Sequence, residues 1–127
     1  MRIYRRILLA STLAASLFAG ATVHASQLEQ IKKKGELVVG ILGTDEPNSF
    51  IDPKTREYIG YEVDLAKEVA AKMGVKPVFK QVAVAARIPE LQQGRIDMLA
   101  ASLTHNKERG AQIDFSLTHL LTGSKVM

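Results

Sequence analysis

The sequence D-M-L-A-A-S-L-T-H-N-K-E-R-G-A-Q-I-D-F-S, residues 97–116, turns from apolar to polar in its middle and decides how the chain folds. Residues 96–101 are short and apolar and predict a strand, which a polar turn at Ser102-Leu103-Thr104 interrupts. Residues 106–112 predict a short helix that carries Arg109. Hydroxyl groups therefore stand at the carboxyl end of a strand, beside backbone N–H groups that a helix start leaves unpaired.

Hydroxyls, free N–H groups and a guanidinium are together suited to a carboxylate ligand. Arg109 adds two parallel, charge-assisted hydrogen bonds if it meets the same carboxylate. We interpret the stretch as the anchor for the head group of an amino acid. The alternative interpretation is that the Ser and Thr only cap the helix and that the Arg is solvated.

Outward from this stretch, the chain predicts alternating helices and strands. They are helix Gln27–Lys34, strand Glu36–Ile41, helix Tyr61–Met73, strand 76–84 and helix 89–93. Residues 42–49 read as a loop with two solvated acids, residues 50–52 and 58–60 as a hairpin, and residues 120–127 as the start of another strand.

The order βαβαβ with short connections predicts an α/β fold, a doubly wound and mostly parallel sheet with flanking helices. Ligands of such sheets bind at the carboxyl ends of the strands. We therefore expect the loop after Ile41, the region before Arg87 and the turn at 102–104 to converge on one site.

Composition narrows the class of protein. Three of the 17 basic residues lie in the first six positions, and the other 14 nearly balance the 13 acidic residues, which gives no electrostatic reason to expect nucleic acid. The chain has no cysteine, which excludes disulfides and thiolate chemistry. Residues 1–25 predict a cleaved signal peptide, because a basic start precedes a short apolar run and V-H-A. The mature chain, 26–127, is then exported.

Five pieces of the chain, in this order, resemble bacterial periplasmic solute-binding proteins of ABC transporters, in the polar amino-acid branch (family 3). They are G-E-L-V-V-G-I at 35–41, Y-I-G-Y-E-V-D-L-A-K-E-V-A-A-K-M-G at 58–74, R-I-P-E-L-Q-Q-G-R-I-D-M-L at 87–99, S-L-T-H-N-K-E-R at 102–109 and I-D-F-S at 113–116. The family fold has two α/β lobes that close on an amino acid. The resemblance implies a periplasmic monomer without cofactor or metal that delivers a polar L-amino acid to an ABC permease, without chemistry.

The same resemblance implies roles for individual residues. Ser102, Thr104 and Arg109 match positions that hold the α-carboxylate and α-ammonium of the ligand, and Phe50 matches an aromatic at the ligand mouth. From the residues alone, Phe50 reads first as core. Arg87 matches an arginine that contacts the side chain in binders of acidic amino acids; the alternative is a surface or helix-start residue.

Two departures from the family leave other functions open. The loop after the first strand is neutral, so glutamate or aspartate is one candidate ligand among others. The sequence stops at Met127, where the family's chain crosses into its second lobe, so residues 26–127 are expected to form one incomplete, N-terminal lobe. The alternatives are a truncated fragment without transport function, a periplasmic dehydratase-like enzyme, and a sensor domain of the same fold.

Overall fold

The computed structural model describes residues 26–121, in which helices and strands alternate as predicted. The helices are α1 (Gln27–Lys34), α2 (Tyr61–Met73), α3 (Arg87–Gln92) and α4 (Lys107–Gly110), with a 3-10 turn at Val84–Ala86. The strands are β1 (Glu36–Ile41), β2 (Thr44–Asp45), β3 (Ser49–Ile51), β4 (Tyr58–Ile59), β5 (Lys76–Gln81) and β6 (Met98–Leu99). The predicted signal peptide lies outside the described residues.

The main sheet is parallel and has β1 at its centre, in the order β5-β1-β6. Strand β1 pairs with β5 from Glu36↔Lys76 to Ile41↔Gln81, and with β6 at Val39↔Met98 and Gly40↔Leu99. The chain thus moves from β1 to one neighbour through α2 and returns across β1 to the other through α3. This confirms the doubly wound, parallel arrangement, whose ligand crevice lies at the carboxyl ends of the strands.

The core lies between β1 and the helices that cover it. Strand β1 is buried at four of its six positions, as its near-continuous apolar run predicts for a sheet covered on both faces. Helix α2 packs a stripe of small and aliphatic residues, including Val63, Ala66 and Ala70, into this core. The buried core cluster contains Ile31, Leu37, Val39, Ile41, Val63, Ala66, Ala70 and Ala100.

Both long helices end where the sequence predicts. In α1 the Ser26 hydroxyl accepts a hydrogen bond from Glu29 N–H at 3.3 Å, and Gly35 ends the helix with φ +76°. Helix α2 ends at Gly74, also in the left-handed region. The end of α1 is tied to the sheet by Asp97, whose Oδ2 accepts from Lys34 Nζ at 3.1 Å and Val38 N–H at 2.9 Å.

A second, antiparallel sheet joins β2, β3 and β4 in that order. The pairs Phe50↔Ile59 and Ile51↔Tyr58 confirm the predicted hairpin. The loop prediction for 42–49 is wrong at Thr44 and Asp45, which form β2, and at Ser49, which begins β3; Thr44 pairs with Phe50 and Asp45 with Ser49. Two-residue strands carry too little periodicity to be recognised from sequence.

Several predicted bounds change. Strand 76–84 ends at Gln81, and helix 106–112 shortens to α4, which closes with hydrogen bonds of 2.9 and 3.0 Å from Gln112 and Ile113 N–H to Arg109 O. Helix α3 begins two residues before Pro89, which is tolerated because first-turn N–H groups have no helical partner. Of the strand predicted at 120–127, the first two residues are described and are not in a strand; the rest lies outside the described part.

Within residues 26–121, no helix has the length and apolar character needed to cross a membrane.

Candidate functional site

Four segments meet at the carboxyl ends of β1 and β6, as the topology predicts. They are the loop after β1, the first turn of α2, the first residue of α3 and the turn at 102–104. Strand β6 leads into this corner because Asp97 N–H donates to Val38 O at 2.8 Å and Ala100 N–H donates to Gly40 O at 2.9 Å. The ladder therefore ends just before Ser102.

Ser102 is the residue on which the hydrogen bonds of this corner converge. Its φ is +49°, a left-handed conformation that is uncommon for residues other than glycine and asparagine. Its N–H donates to Glu62 Oε1 at 2.6 Å, and its hydroxyl, 3.3 Å from the same oxygen, also donates to Asp45 Oδ2. The residue predicted as a ligand contact is thus held by two carboxylates.

Glu62 lies in the first turn of α2 and its side chain is only 6% exposed. One carboxylate oxygen contacts Ser102, while Oε2 is buried and has no hydrogen-bond partner in the described part of the chain. A buried carboxylate is costly unless donors surround it, and the contact with Ser102 offsets part of this cost.

The loop after β1 is anchored on α2. Tyr61 N–H donates to Pro47 O at 3.2 Å, and Glu62 N–H donates to Asn48 O at 2.9 Å. Gly60 allows this approach, since a Cβ there would lie 2.4 Å from Asn48 O. The first N–H groups of α2 are therefore occupied by loop carbonyls.

Two polar side chains of the anchored loop, Asp45 and Asn48, contact Ser102. Asn48 Nδ2 donates to Asp45 Oδ2 at 3.2 Å and to the Ser102 hydroxyl at 3.4 Å. The prediction that Asp45 is a solvated loop acid is wrong, because Asp45 is half-buried and its Oδ2 accepts hydrogen bonds from Asn48 Nδ2 and from the Ser102 hydroxyl. The signal that could have found it was the predicted convergence of this loop with the 102–104 turn.

Arg87 lies beneath the turn and is only 8% exposed, which contradicts the surface alternative; it is the first residue of α3. Its Nε donates to Val84 O at 3.0 Å, and its Nη1 donates to Ala101 O at 2.7 Å and to Ser102 O at 3.3 Å. Burial lowers the pKa of Arg87, the Arg109 guanidinium lowers it further, and the Glu62 carboxylate opposes both.

Thr104 and Arg109 form the outer part of the corner. Arg109 Nη1 donates to Thr104 O at 2.9 Å. Asn106 Oδ1 caps α4 by accepting from Arg109 N–H at 2.8 Å, so the backbone of Arg109 is fixed as well. The other guanidinium nitrogens of Arg109 and the Thr104 hydroxyl have no hydrogen-bond partner among residues 26–121. They are available to a ligand.

Hydrogen bonds link four of the five predicted site residues through the turn: Ser102, Thr104, Arg87 and Arg109. Phe50 lies half-buried in β3, where it pairs with Thr44 beside Asp45, and it is outside the buried core cluster. The first expectation for Phe50, a core residue, is therefore wrong. The residues that sequence reasoning missed are Glu62, Asp45 and Asn48.

The two histidines of the described range contact aromatic rings. His119 Nδ1 is 3.1 Å from the Tyr61 hydroxyl, and the ring of His105 meets Phe115 edge-on at 4.8 Å between centroids. An open cavity of about 360 Å³ lies beside His105 and is lined further by Gly110 and residues 113–118. It includes neither Ser102, Thr104 nor Arg109, so we place the candidate site by its polar groups rather than by this cavity.

Comparison with known proteins gives a family match over most of the chain. A model described as "Bacterial extracellular solute-binding proteins, family 3" matches residues 37–127. The chain is 33% identical over 103 residues to the glutamine-binding protein of Geobacillus stearothermophilus, which covers 79% of this chain and 39% of that protein. The chain spans 31–46% of the length of the first curated relatives.

Two solved structures resemble this fold. One is the arginine-bound form of domain 1 of the arginine-binding protein of T. maritima, with TM-score 0.62 and 33% identity over 65% of this chain and 64% of that chain. The other is an ancestral cyclohexadienyl dehydratase, AncCDT-3(P188L), with TM-score 0.72 and 33% identity over 77% of this chain and 40% of that one.

Proposed function

Because the chain belongs to the bacterial extracellular solute-binding proteins of family 3, we propose that it binds a polar L-amino acid in the periplasm for delivery to an ABC permease. The ligand is bound and released without chemistry. The observation that carries the proposal is the pair of Thr104 and Arg109, in which one guanidinium nitrogen is fixed on a backbone carbonyl and the others remain available.

The geometry suits the α-carboxylate of an amino acid. A guanidinium offers paired donors in a plane, which match the two oxygens of a carboxylate better than any single donor does. The Thr104 hydroxyl stands on the same short segment and adds a third donor. Each hydrogen bond to a charged group is worth about 1.5–3 kcal/mol, so two or three of them suffice to anchor a small zwitterion.

The charges of the site favour a neutral or cationic ligand side chain over an acidic one. Arg87, the residue that would select glutamate or aspartate, donates to three backbone carbonyls. Two carboxylates, Asp45 and Glu62, contact Ser102 instead. Similar proteins are named for glutamine and for arginine, and another is named for L-glutamate/L-aspartate, so the preference rests on the charges of the site.

A direct titration tests the proposal. The chain is labelled with ¹⁵N, and its amide resonances are followed by NMR as L-glutamine, L-arginine and L-glutamate are added in turn. Shifts of the Thr104 and Arg109 amides with L-glutamine or L-arginine are expected. The single-domain relative that holds arginine supports the use of this chain without further segments, and NMR detects the weak affinity expected of an open lobe.

The matched variants are Arg109→Ala and Lys107→Ala, two cations of the same helix. Arg109→Ala is expected to abolish the shifts for every amino acid, whereas Lys107→Ala, whose side chain is exposed on α4, is expected to leave them unchanged. Equal responses from the two variants, or no shift with any of the three amino acids, would remove the proposal.

An enzyme is the second candidate, because one similar structure is an ancestral cyclohexadienyl dehydratase. The buried Glu62 carboxylate, with one oxygen unpaired, is the group such a reaction could use as an acid or base. Incubation of the chain with prephenate or arogenate, followed by detection of the aromatic product, distinguishes an enzyme from a binding protein. Turnover that Glu62→Gln abolishes would favour the enzyme.

A further inference from the structure

We propose that Glu62 and Arg87 are positioning residues that hold Ser102 in its left-handed conformation and thereby aim Thr104 and Arg109 at the ligand. The inference rests on the proposed function, because it states how the amino-acid anchor is built. It assigns to Arg87 a role in affinity for all amino acids rather than in the choice among them.

One residue holds the N–H side of Ser102. Glu62 Oε1 accepts from Ser102 N–H at 2.6 Å and lies 3.3 Å from the Ser102 hydroxyl, so a single buried oxygen meets both polar groups of the residue. The Glu62 carboxylate comes from α2, 40 positions earlier in the chain. A charge-assisted bond of this length between rigid elements fixes the direction of the Ala101–Ser102 peptide.

The other residue holds the carbonyl side. Arg87 Nη1 donates to Ala101 O at 2.7 Å and to Ser102 O at 3.3 Å, so one nitrogen spans the two carbonyls that flank the Ser102 Cα. Its Nε donates to Val84 O at 3.0 Å, which fixes the guanidinium itself. Arg87 is only 8% exposed, and its bond to Ala101 O is buried, so this donor is shielded from water.

The conformation these residues hold is one that serine avoids. At φ +49° the Cβ of an L-residue crowds the following carbonyl, and the chain would otherwise relax toward an extended conformation. Only Leu103 separates Ser102 from Thr104, whose carbonyl accepts a hydrogen bond from Arg109 Nη1. Relaxation at Ser102 would therefore redirect Thr104 and release the guanidinium that is aimed at the carboxylate.

Amide exchange tests the geometry without any ligand. In Glu62→Ala the Ser102 amide proton is expected to exchange about tenfold faster with solvent, the factor that corresponds to loss of one charge-assisted hydrogen bond. The Ala100 amide, in the strand ladder, serves as the internal reference. Glu68→Ala, an exposed acid on the same helix, is the matched control and is expected to change neither amide.

Titration with L-arginine and L-glutamine tests the consequence for binding. Glu62→Ala is compared in two backgrounds, Ser102→Ala and Ser102→Gly, which both lack the hydroxyl. In the Ser102→Ala background it is expected to weaken both ligands about tenfold, and in the Ser102→Gly background less than about threefold, because glycine adopts the left-handed conformation without strain. If Glu62→Ala only destabilised the fold, it would lower the affinity for the ligands by the same factor in both backgrounds.

Arg87→Ala completes the experiment. It is expected to lower the affinity for L-arginine, L-glutamine and L-glutamate by the same factor. Selective loss of L-glutamate, equal effects of Glu62→Ala in the two backgrounds, or unchanged exchange at Ser102 would each overturn the inference. If no amino acid binds even the unsubstituted chain, the proposed function fails, and the exchange measurement still decides whether Glu62 holds Ser102.

Discussion

Arg109 is held at one guanidinium nitrogen, and its other nitrogens have no hydrogen-bond partner among residues 26–121. Under the proposed function, this one side chain would both build the site and bind the ligand. Its backbone N–H is capped by Asn106 Oδ1 at 2.8 Å, and its Nη1 is held by Thr104 O at 2.9 Å. The remaining guanidinium donors are then presented in a defined plane. A side chain with the same charge and without that planar fork should bind less well.

Arg109→Lys tests this distinction. The ammonium group keeps the positive charge but cannot hold the Thr104 carbonyl and two carboxylate oxygens in one plane, so affinity for L-glutamine should fall about tenfold, the equivalent of one hydrogen bond to a charged group. NMR titration measures the loss, and Lys107→Arg on the same helix is the control. Affinity retained within twofold would mean that charge alone accounts for the anchor.

The elements around the site are joined by contacts that local sequence does not reveal. The first turn of α2 donates its N–H groups to the loop after β1, and this contact depends on Gly60 at φ +124°. One carboxylate of helix α3, that of Glu90, joins this helix both to β5 and to the loop that follows α3. Glu90 accepts from Lys80 Nζ at 2.9 Å and from Arg95 Nη2 at 2.8 Å.

Gly60→Ala should destabilise the contact between the loop and α2. A Cβ would lie 2.4 Å from Asn48 O, and the φ of the residue is unfavourable for alanine, so a loss of about 1–3 kcal/mol in the free energy of unfolding is expected. Gly74→Ala is the matched control, because its φ is +71° but no atom lies within 4 Å of a Cβ there.

Urea denaturation measures both glycine variants. We expect a larger loss of unfolding free energy in Gly60→Ala than in Gly74→Ala. The difference measures the effect of the close contact with Asn48 O, because both positions have a positive φ. Equal losses in Gly60→Ala and Gly74→Ala would show that the contact with Asn48 contributes nothing to stability.

Glu90 should make stability depend on pH under acidic conditions. Hydrogen bonds from Arg95 and then Lys80 lower the pKa of Glu90 from 4.5 to about 2. A carboxyl group whose pKa is lower in the folded state stabilises the fold above its unfolded pKa, and this contribution is lost as pH falls from about 4.5 to 2. Thermal melting between pH 7 and 2.5 should therefore show a smaller acid-induced fall for Glu90→Gln than for Glu68→Gln. Parallel curves for the two variants would contradict this role.

At the scale of the whole chain, the sequence predicts what depends on periodicity and on turn residues. Helix α2 has the predicted bounds because its 3.6-residue stripe runs from a glycine to a glycine, and β1 is buried as its apolar run indicates. The convergence of the loops follows from the order of the elements. The helix bounds and the strand burial depend on local sequence, and the convergence of the loops follows from the topology of the sheet.

What the sequence does not predict is the direction of individual side chains between elements. Glu62 and Ser102 are 40 positions apart, and nothing near Glu62 distinguishes a buried hydrogen-bond acceptor from an ordinary first-turn acid. Arg87 could have faced the ligand, yet packing of α3 against the strand ends directs it to backbone carbonyls. Tertiary contacts decide both, and such contacts cannot be read from the sequence near either residue.

At the scale of the whole molecule, the positive and negative charges of the site lie in two separate groups. Arg109 is bonded to Thr104, while Asp45 and Glu62 contact Ser102. Under the proposed function, a zwitterion would place its carboxylate at the first pair of residues and its positive charge nearer the two acids. The carboxylate is therefore the group that the chain should require most strictly, whatever the side chain of the ligand.

Titration with L-arginine and with its decarboxylated analogue agmatine tests this requirement most directly. Both compounds carry a guanidinium and an amine, and they differ only in the carboxylate. NMR shifts at Thr104 and Arg109 should appear with L-arginine, whereas agmatine should bind at least about tenfold more weakly, because it leaves the Arg109 donors unpaired. Equal affinity for the two compounds would contradict the carboxylate anchor on which the whole account depends.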